Sequence, residues 1–183
     1  MVSKLSFEID KLMNSQSVWT KSEGFPEPLF IAFNTAVTAW HITDWLWESR
    51  QETRALLRKR FKFEFNEWTM SGRDKGLERF QNAVCKDSRE IHICREIANA
   101  SKHMRKRKSD PDVKALAEWL PAIEPAGHVK VGDLVLQLSI YDGEKKWDAV
   151  RLFIEAFGYW EQLLREEGLI TRDARLPDKI VSP

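Results

Sequence analysis

Apolar positions along this chain recur mostly at helical spacing, in three long stretches. From about residue 27 to residue 58, Leu29, Phe33, Ala36, Trp40, Thr43 and Trp47 fall on one face, which predicts a long helix with Pro28 in its first turn. Over residues 76–104, Phe80, Val84, Asp87, Ile91, Cys94, Ala98 and Ser101 follow alternating steps of four and three, which predicts a second long helix with a packing seam. Small residues near its end let a neighbour approach closely. Over residues 144–167, Ala149, Leu152, Phe153, Ala156, Trp160, Leu163 and Leu164 give a third helix a broad apolar face, and Gly168 stops it. Leu5, Ile9, Leu12 and Met13 fit a short amphipathic helix over residues 4–14, and a Ser-, Gly- and Pro-containing connector follows.

Strict alternation occurs once, over residues 128–141. Val135, Gln137, Ser139 and Tyr141 interleave with Leu134, Leu136, Leu138 and Ile140, with Gly132-Asp133 as a turn and Asp142-Gly143 as the stop. Residues 112–120 predict a short helix ended by Pro121. Residues 58–75 break the helical pattern as a basic and aromatic excursion. Residues 169–183 hold little to bury and are expected to form a peripheral tail. The fold class expected is mainly α: a single-domain, up-and-down helical bundle over residues 1–183 with a small β-hairpin before the last long helix.

Composition refines this picture in a few places. A chain of 183 residues can bury one sizeable core, and eight Trp with ten Phe should build it from large rings. The net charge of +1 does not decide for or against nucleic acid, because local patches matter more than totals. Cys85 and Cys94, nine residues apart on one predicted helix, would be separated by roughly 13.5 Å, too far to pair, so both are expected to be free. The opening MVSKLSFEIDKLMN lacks the apolar run of a secretory signal, and no stretch reaches the roughly 18 apolar residues of a membrane span, so a cytoplasmic protein is expected.

Two polar stripes interrupt the apolar helices. Asn34, Thr38, His41, Asp44 and Glu48 form one. Ser88, His92, Arg95, Asn99, Lys102 and His103 form the other. His41 and Asp44, three residues apart, are spaced for the carboxylate to fix the tautomer of a general-base histidine. The same pair also fits a hydrogen-bonded core histidine or a solvated face. Arg95, Asn99 and His103 repeat every four residues and offer a guanidinium fork, an amide and a titratable ring to a phosphate or carboxylate. If both stripes belong to one site, His41 or Asp44 should lie within hydrogen-bonding reach, directly or through one water, of Arg95, Asn99 or His103.

Basic residues cluster at Arg54, Arg58, Lys59, Arg60 and Lys62, interleaved with Phe61, Phe63 and Phe65, and again at Arg105, Lys106, Arg107 and Lys108. Either run suits a nucleic-acid surface or a plainly solvated one. The Glu-x-x-His pairs of carboxylate-bridged bundles are absent from the two striped helices, and no phosphate-binding glycine loop or hydrolase motif occurs, so neither a metal nor another cofactor is expected.

The runs Ala39-Trp40-His41-Ile42-Thr43-Asp44-Trp45-Leu46-Trp47, Cys94-Arg95-Glu96-Ile97-Ala98-Asn99-Ala100-Ser101-Lys102-His103, Tyr141-Asp142-Gly143 and Phe157-Gly158-Tyr159-Trp160 resemble a set of uncharacterised bacterial helical proteins. More remotely the layout resembles the HEPN superfamily (higher eukaryotes and prokaryotes nucleotide-binding). Many members are metal-independent ribonucleases of toxin and phage-defence systems, active as dimers, with an Arg followed after four to six residues by a His. Here seven residues separate Arg95 from His103. The resemblance implies a cytosolic, dimeric endoribonuclease acting on RNA. His103, Arg95, Asn99, His41 and Asp44 would be catalytic. Lys102, Arg105, Lys106, Arg107, Lys108, Arg58, Lys59 and Arg60 would hold the RNA backbone. The alternatives are a non-catalytic interaction module built on a buried His/Asp/Arg/Asn network, or a small-ligand or metal pocket.

Overall fold

The described residues of the computed structural model are 1–16, 27–64, 70–102, 110–123 and 129–170. They form six helices, with a three-stranded antiparallel sheet just before the last: α1 (Val2–Gln16), α2 (Glu27–Ser49), α3 (Gln51–Phe61), α4 (Met70–Asp87), α5 (Arg89–Lys102), β1 (Val113–Pro121), β2 (Leu134–Asp142), β3 (Lys145–Asp148) and α6 (Ala149–Glu166). The mainly α class with a β insertion before the final long helix is as expected.

Helix α2 is the hub, packing against α1, α5 and α6. It is buried on more sides than one apolar face would require, including Ile31, Ala32, Thr35, Thr38, Ala39 and Ile42. The threonines are tolerated because their hydroxyls find partners. Thr35 donates to the Ile31 carbonyl at 2.7 Å, Thr43 donates to the Trp40 carbonyl at 2.8 Å, and Thr38 accepts from Lys4 Nζ at 2.6 Å. From α6, the buried Trp160 donates its indole N–H to the Ala39 carbonyl at 2.9 Å.

Both long helices expected before the sheet are broken. The first bends at Arg50, whose extended backbone (φ −144°, ψ 156°) starts α3. Arg54 Nη1 donates to the Trp47 carbonyl at 3.0 Å, occupying an acceptor that the end of α2 leaves free. No Gly or Pro marks this bend. A straight helix would place Leu57 roughly 15 Å beyond Trp47 along the axis, whereas the bend lets both be fully buried in one core. The second break is at Ser88, which is buried. Its Oγ accepts from the Ile91 N–H at 3.2 Å, an N-cap, and donates to Glu90 Oε2 at 2.9 Å. Cys85 and Cys94 therefore sit on different helices, and the helical-separation argument against their pairing no longer applies. Both are nevertheless free.

The short helix expected over residues 112–120 is strand β1. It pairs with β2 along its whole length, from Val113↔Asp142 to Pro121↔Leu134. That ladder satisfies every other backbone group of the segment, which outweighs the helical preference of Lys-Ala-Leu-Ala-Glu, good helix formers throughout. The hairpin expected to turn at Gly132-Asp133 is thus a sheet of order β1-β2-β3, in which Gly143 (φ 60°) supplies the tight β2–β3 turn. Leu136, Leu138 and Ile140 of β2 and Trp147 of β3 are buried in the core. The last long helix, expected from residue 144, begins at Ala149 because residues 145–148 pair with β2. Asp148 caps it by accepting from the Arg151 N–H at 3.1 Å. Among the described residues no helix is long and apolar enough to cross a membrane. The expected tail beyond residue 170 lies outside the described residues.

Candidate functional site

Helices α2, α4 and α5 pack on one another, and a residue of each stripe bonds to α4. The Arg95 guanidinium of α5 lies over the Trp40 ring of α2, 5.8 Å from its centroid. Its Nη1 donates to Asn82 Oδ1 at 3.2 Å and reaches Cys85 Sγ at 3.5 Å, both on α4. Its Nε stands 3.6 Å from the buried Glu96 carboxylate. From α2, Asp44 Oδ1 accepts from Gln81 Nε2 at 2.8 Å, and the same amide reaches Thr43 Oγ1 at 3.3 Å. Gln81 and Asn82 are adjacent, so α4 holds Asp44 through one residue and Arg95 through the next. This α4 contribution was missed, because Gln81 and Asn82 lie outside both stripes.

His41 Nδ1 is 4.0 Å from Asp44 Oδ2, within ion-pair range but too long for the hydrogen bond that would fix its tautomer. The side chains of Arg95, His41 and Asp44 are 28%, 33% and 36% exposed, so the seam is open to water. Asn99 is half-buried on α5, and Lys102 ends that helix. His103, Arg105, Lys106, Arg107 and Lys108 lie outside the described residues. The Cys85 thiol is pushed up by burial, with Arg95 opposing, so it is a neutral thiol at pH 7.

The rest of the second stripe has other roles. Ser88 is the cap described above, and His92 faces the sheet. His92 Nε2 lies 3.0 Å from Asp110 Oδ2, and the Asp110 N–H donates to Glu96 Oε2 at 3.0 Å. Arg89 grips Asp142 at the end of β2 through Nε, at 3.0 Å, and Nη2, and it reaches Asp110 at 3.0 Å. The Arg89 bonds hold the Asp142 carboxyl below its usual range and raise the guanidinium in turn. The Asp112 N–H, aided by His92 and Arg89, lowers Asp110. This network fastens α5 to the sheet. Arg89, His92 and Glu96 share a helical face in the sequence, and no local pattern marks Asp110 or Asp142 as their partners.

Both carboxylates have folded values below their unfolded ones. Their contribution to stability is therefore full above pH about 4 and is lost as pH falls through the lowered folded values. Asp142→Asn is expected to cost about 1 kcal/mol at neutral pH, a figure reduced for solvent screening of the 41%-exposed Arg89. It should also flatten the acid-side fall in stability. Urea midpoints measured at neutral pH and across the acid range would refute this if wild type and variant ran parallel.

In the first basic cluster the aromatic and the charged side chains part company. Phe61 packs on Phe80 at 5.6 Å between centroids, and Phe63 on Trp47 at 6.1 Å, so these half-buried rings pack against the core. Phe65 lies outside the described residues. Arg58 pairs with Glu64, and Arg60 with Glu166 at 3.2 Å and Glu167 at 3.8 Å, while Lys59 is exposed. Among the described residues no three His, Cys, Asp or Glu side chains form a group able to hold a metal ion. Comparison of the chain with protein-family models, curated proteins and solved structures finds no match.

Proposed function

We propose that the chain acts on nucleic acid at the α2–α4–α5 seam, as a metal-independent endoribonuclease of the toxin or phage-defence type. The supporting observation is the open position of Arg95. Trp40 and Asn82 steady its guanidinium, while more than a quarter of the side chain stays accessible. A guanidinium held this way is pre-organised for a phosphate. In this reading His103, next in sequence after α5, removes the proton of the ribose 2′-hydroxyl. That oxygen attacks phosphorus, the 5′-oxygen leaves with a proton, and a 2′,3′-cyclic phosphate remains. Arg95 offsets the charge that builds on the phosphate. Asn99, His41 and Asp44 orient these groups. Lys102, Arg105–Lys108, Arg58, Lys59 and Arg60 hold the RNA backbone.

A second reading, a non-catalytic interaction module, draws on the Asp44–Gln81 and Arg95–Asn82 bonds, through which the seam groups satisfy one another. Incubation with mixed RNA in EDTA separates the two. The nuclease reading expects cleavage by wild type and its loss in His103→Ala at unchanged melting temperature. It also expects weaker binding together with a lower rate in Arg95→Ala. Folded wild type that neither binds nor cuts RNA would leave the interaction module.

A further inference from the structure

The two edges of the sheet are unequal. Strand β3 is four residues long and carries Lys145 and Lys146, a short, charged edge of the kind that resists pairing. Strand β1 is nine residues long, and Lys114, Ala115, Leu116 and Ala117 at its middle are all exposed. The orientation of its backbone groups follows from bonds at its two ends. Gly143 N–H donates to the Asp112 carbonyl at 3.0 Å, and Ala122 N–H to the Asp133 carbonyl at 2.8 Å. Even-numbered residues of β1 therefore bond to β2, and by alternation Ala115, Ala117 and Trp119 turn their N–H and C=O groups to the edge that no strand covers among the described residues.

The sequence of this edge is complementary to itself. In an antiparallel pairing of two copies centred on Leu116, Ala115 faces Ala117 of the second copy and Leu116 faces its own equivalent. Lys114 faces Glu118 of the second copy, and by symmetry Glu118 faces Lys114 of that copy. Lys114, Leu116 and Glu118 share one face of the strand, so the two ion pairs flank a leucine contact. Ala115 and Ala117 would exchange both N–H···O=C bonds with their counterparts, and their methyl groups let the strands come together without a clash. Glu118 already lies 3.3 Å from Lys146, which holds its carboxylate on that face. An isologous contact of this kind closes at two copies.

We propose that β1 is a dimerisation edge, and that two copies of this chain join through it into one continuous six-stranded sheet with Leu116 on the two-fold axis. The pairing is independent of whether the seam cuts RNA. Sedimentation velocity from low to high micromolar protein should show a concentration-dependent monomer–dimer equilibrium. Ala117→Pro removes an N–H that faces the edge and spares the β2 ladder. It should weaken dimerisation at least about tenfold while circular dichroism stays unchanged. Lys114→Glu should weaken it as well, by setting like charges opposite each other, and the double exchange Lys114→Glu with Glu118→Lys should restore it.

Oxidised Leu116→Cys should cross-link the two copies, since directly opposed residues lie within disulfide reach. Leu120→Cys should not, because the offset puts its two copies roughly 27 Å apart. Wild type, with Cys85 and Cys94, is the background control. A wild type that stays monomeric throughout would overturn the proposal, as would a dimer that neither charge reversal nor Ala117→Pro weakens. A cross-link at residue 120 in preference to 116 would overturn the register.

Discussion

Trp160→Ala is expected to cost about 3–5 kcal/mol of stability, the usual penalty for emptying a buried aromatic site. Trp160 has no solvent-exposed surface, stands edge-on to Tyr159 at 5.3 Å, and donates its indole N–H to the Ala39 carbonyl of α2. It therefore ties the last helix to the hub of the bundle, and no nearby side chain can collapse into a space of that size without moving α6. Set against a total of about 5–15 kcal/mol for a typical domain, the loss is large, and the melting temperature should fall by roughly 10 °C or more. Trp160→Phe keeps most of the ring and loses the donor, so its cost should be about 1–2 kcal/mol. Urea titrations followed by circular dichroism provide the check. A wild-type midpoint for Trp160→Ala would mean that α6 is not anchored to α2 as described.

The second large effect concerns Phe61. As part of an aromatic nucleic-acid surface, it could be replaced by Ala with loss of RNA binding and little change in stability. The structure has it at the end of α3, packed on Phe80, which itself stacks on Trp47 at 5.8 Å. Phe61→Ala is therefore expected to destabilise by about 2–4 kcal/mol, somewhat below a fully buried Phe because the ring keeps partial exposure. Any effect on RNA should track the folded fraction. Thermal melts paired with a gel-shift assay distinguish the cases, and a stable variant that has lost RNA binding would restore the surface role.

The basic neighbours of Phe61 show why the sequence leaves two readings open there. Arg58, Lys59 and Arg60 fill the last turn of α3, where cations also suit the helix C-terminus. The alternation of basic and aromatic residues that suggested a surface also describes the end of a helix whose rings turn inward. Lys62 then ends α3 in the left-handed conformation (φ 52°), which directs Phe63 back onto Trp47.

What the sequence determined by itself is which face is buried in the elements with a clear repeat. The face expected for the last helix, Ala149, Leu152, Phe153, Ala156, Trp160, Leu163 and Leu164, is buried as expected, joined by Phe157. Leu136, Leu138 and Ile140 were legible as one face of a strand, and Leu5, Ile9 and Leu12 as one face of a helix. A repeat of 3.6 or 2 residues is imposed by local backbone geometry, so it is written into the order of residues. Only the tertiary structure decided which elements meet. The bend at Arg50, the conversion of residues 113–121 to a strand, the Arg89–Asp110–Asp142 network and the α4 bonds to Asp44 and to Arg95 all depend on partners distant in the chain. Their free energy comes from burial and hydrogen bonds that exist only once the chain has closed on itself, and no local spacing encodes it.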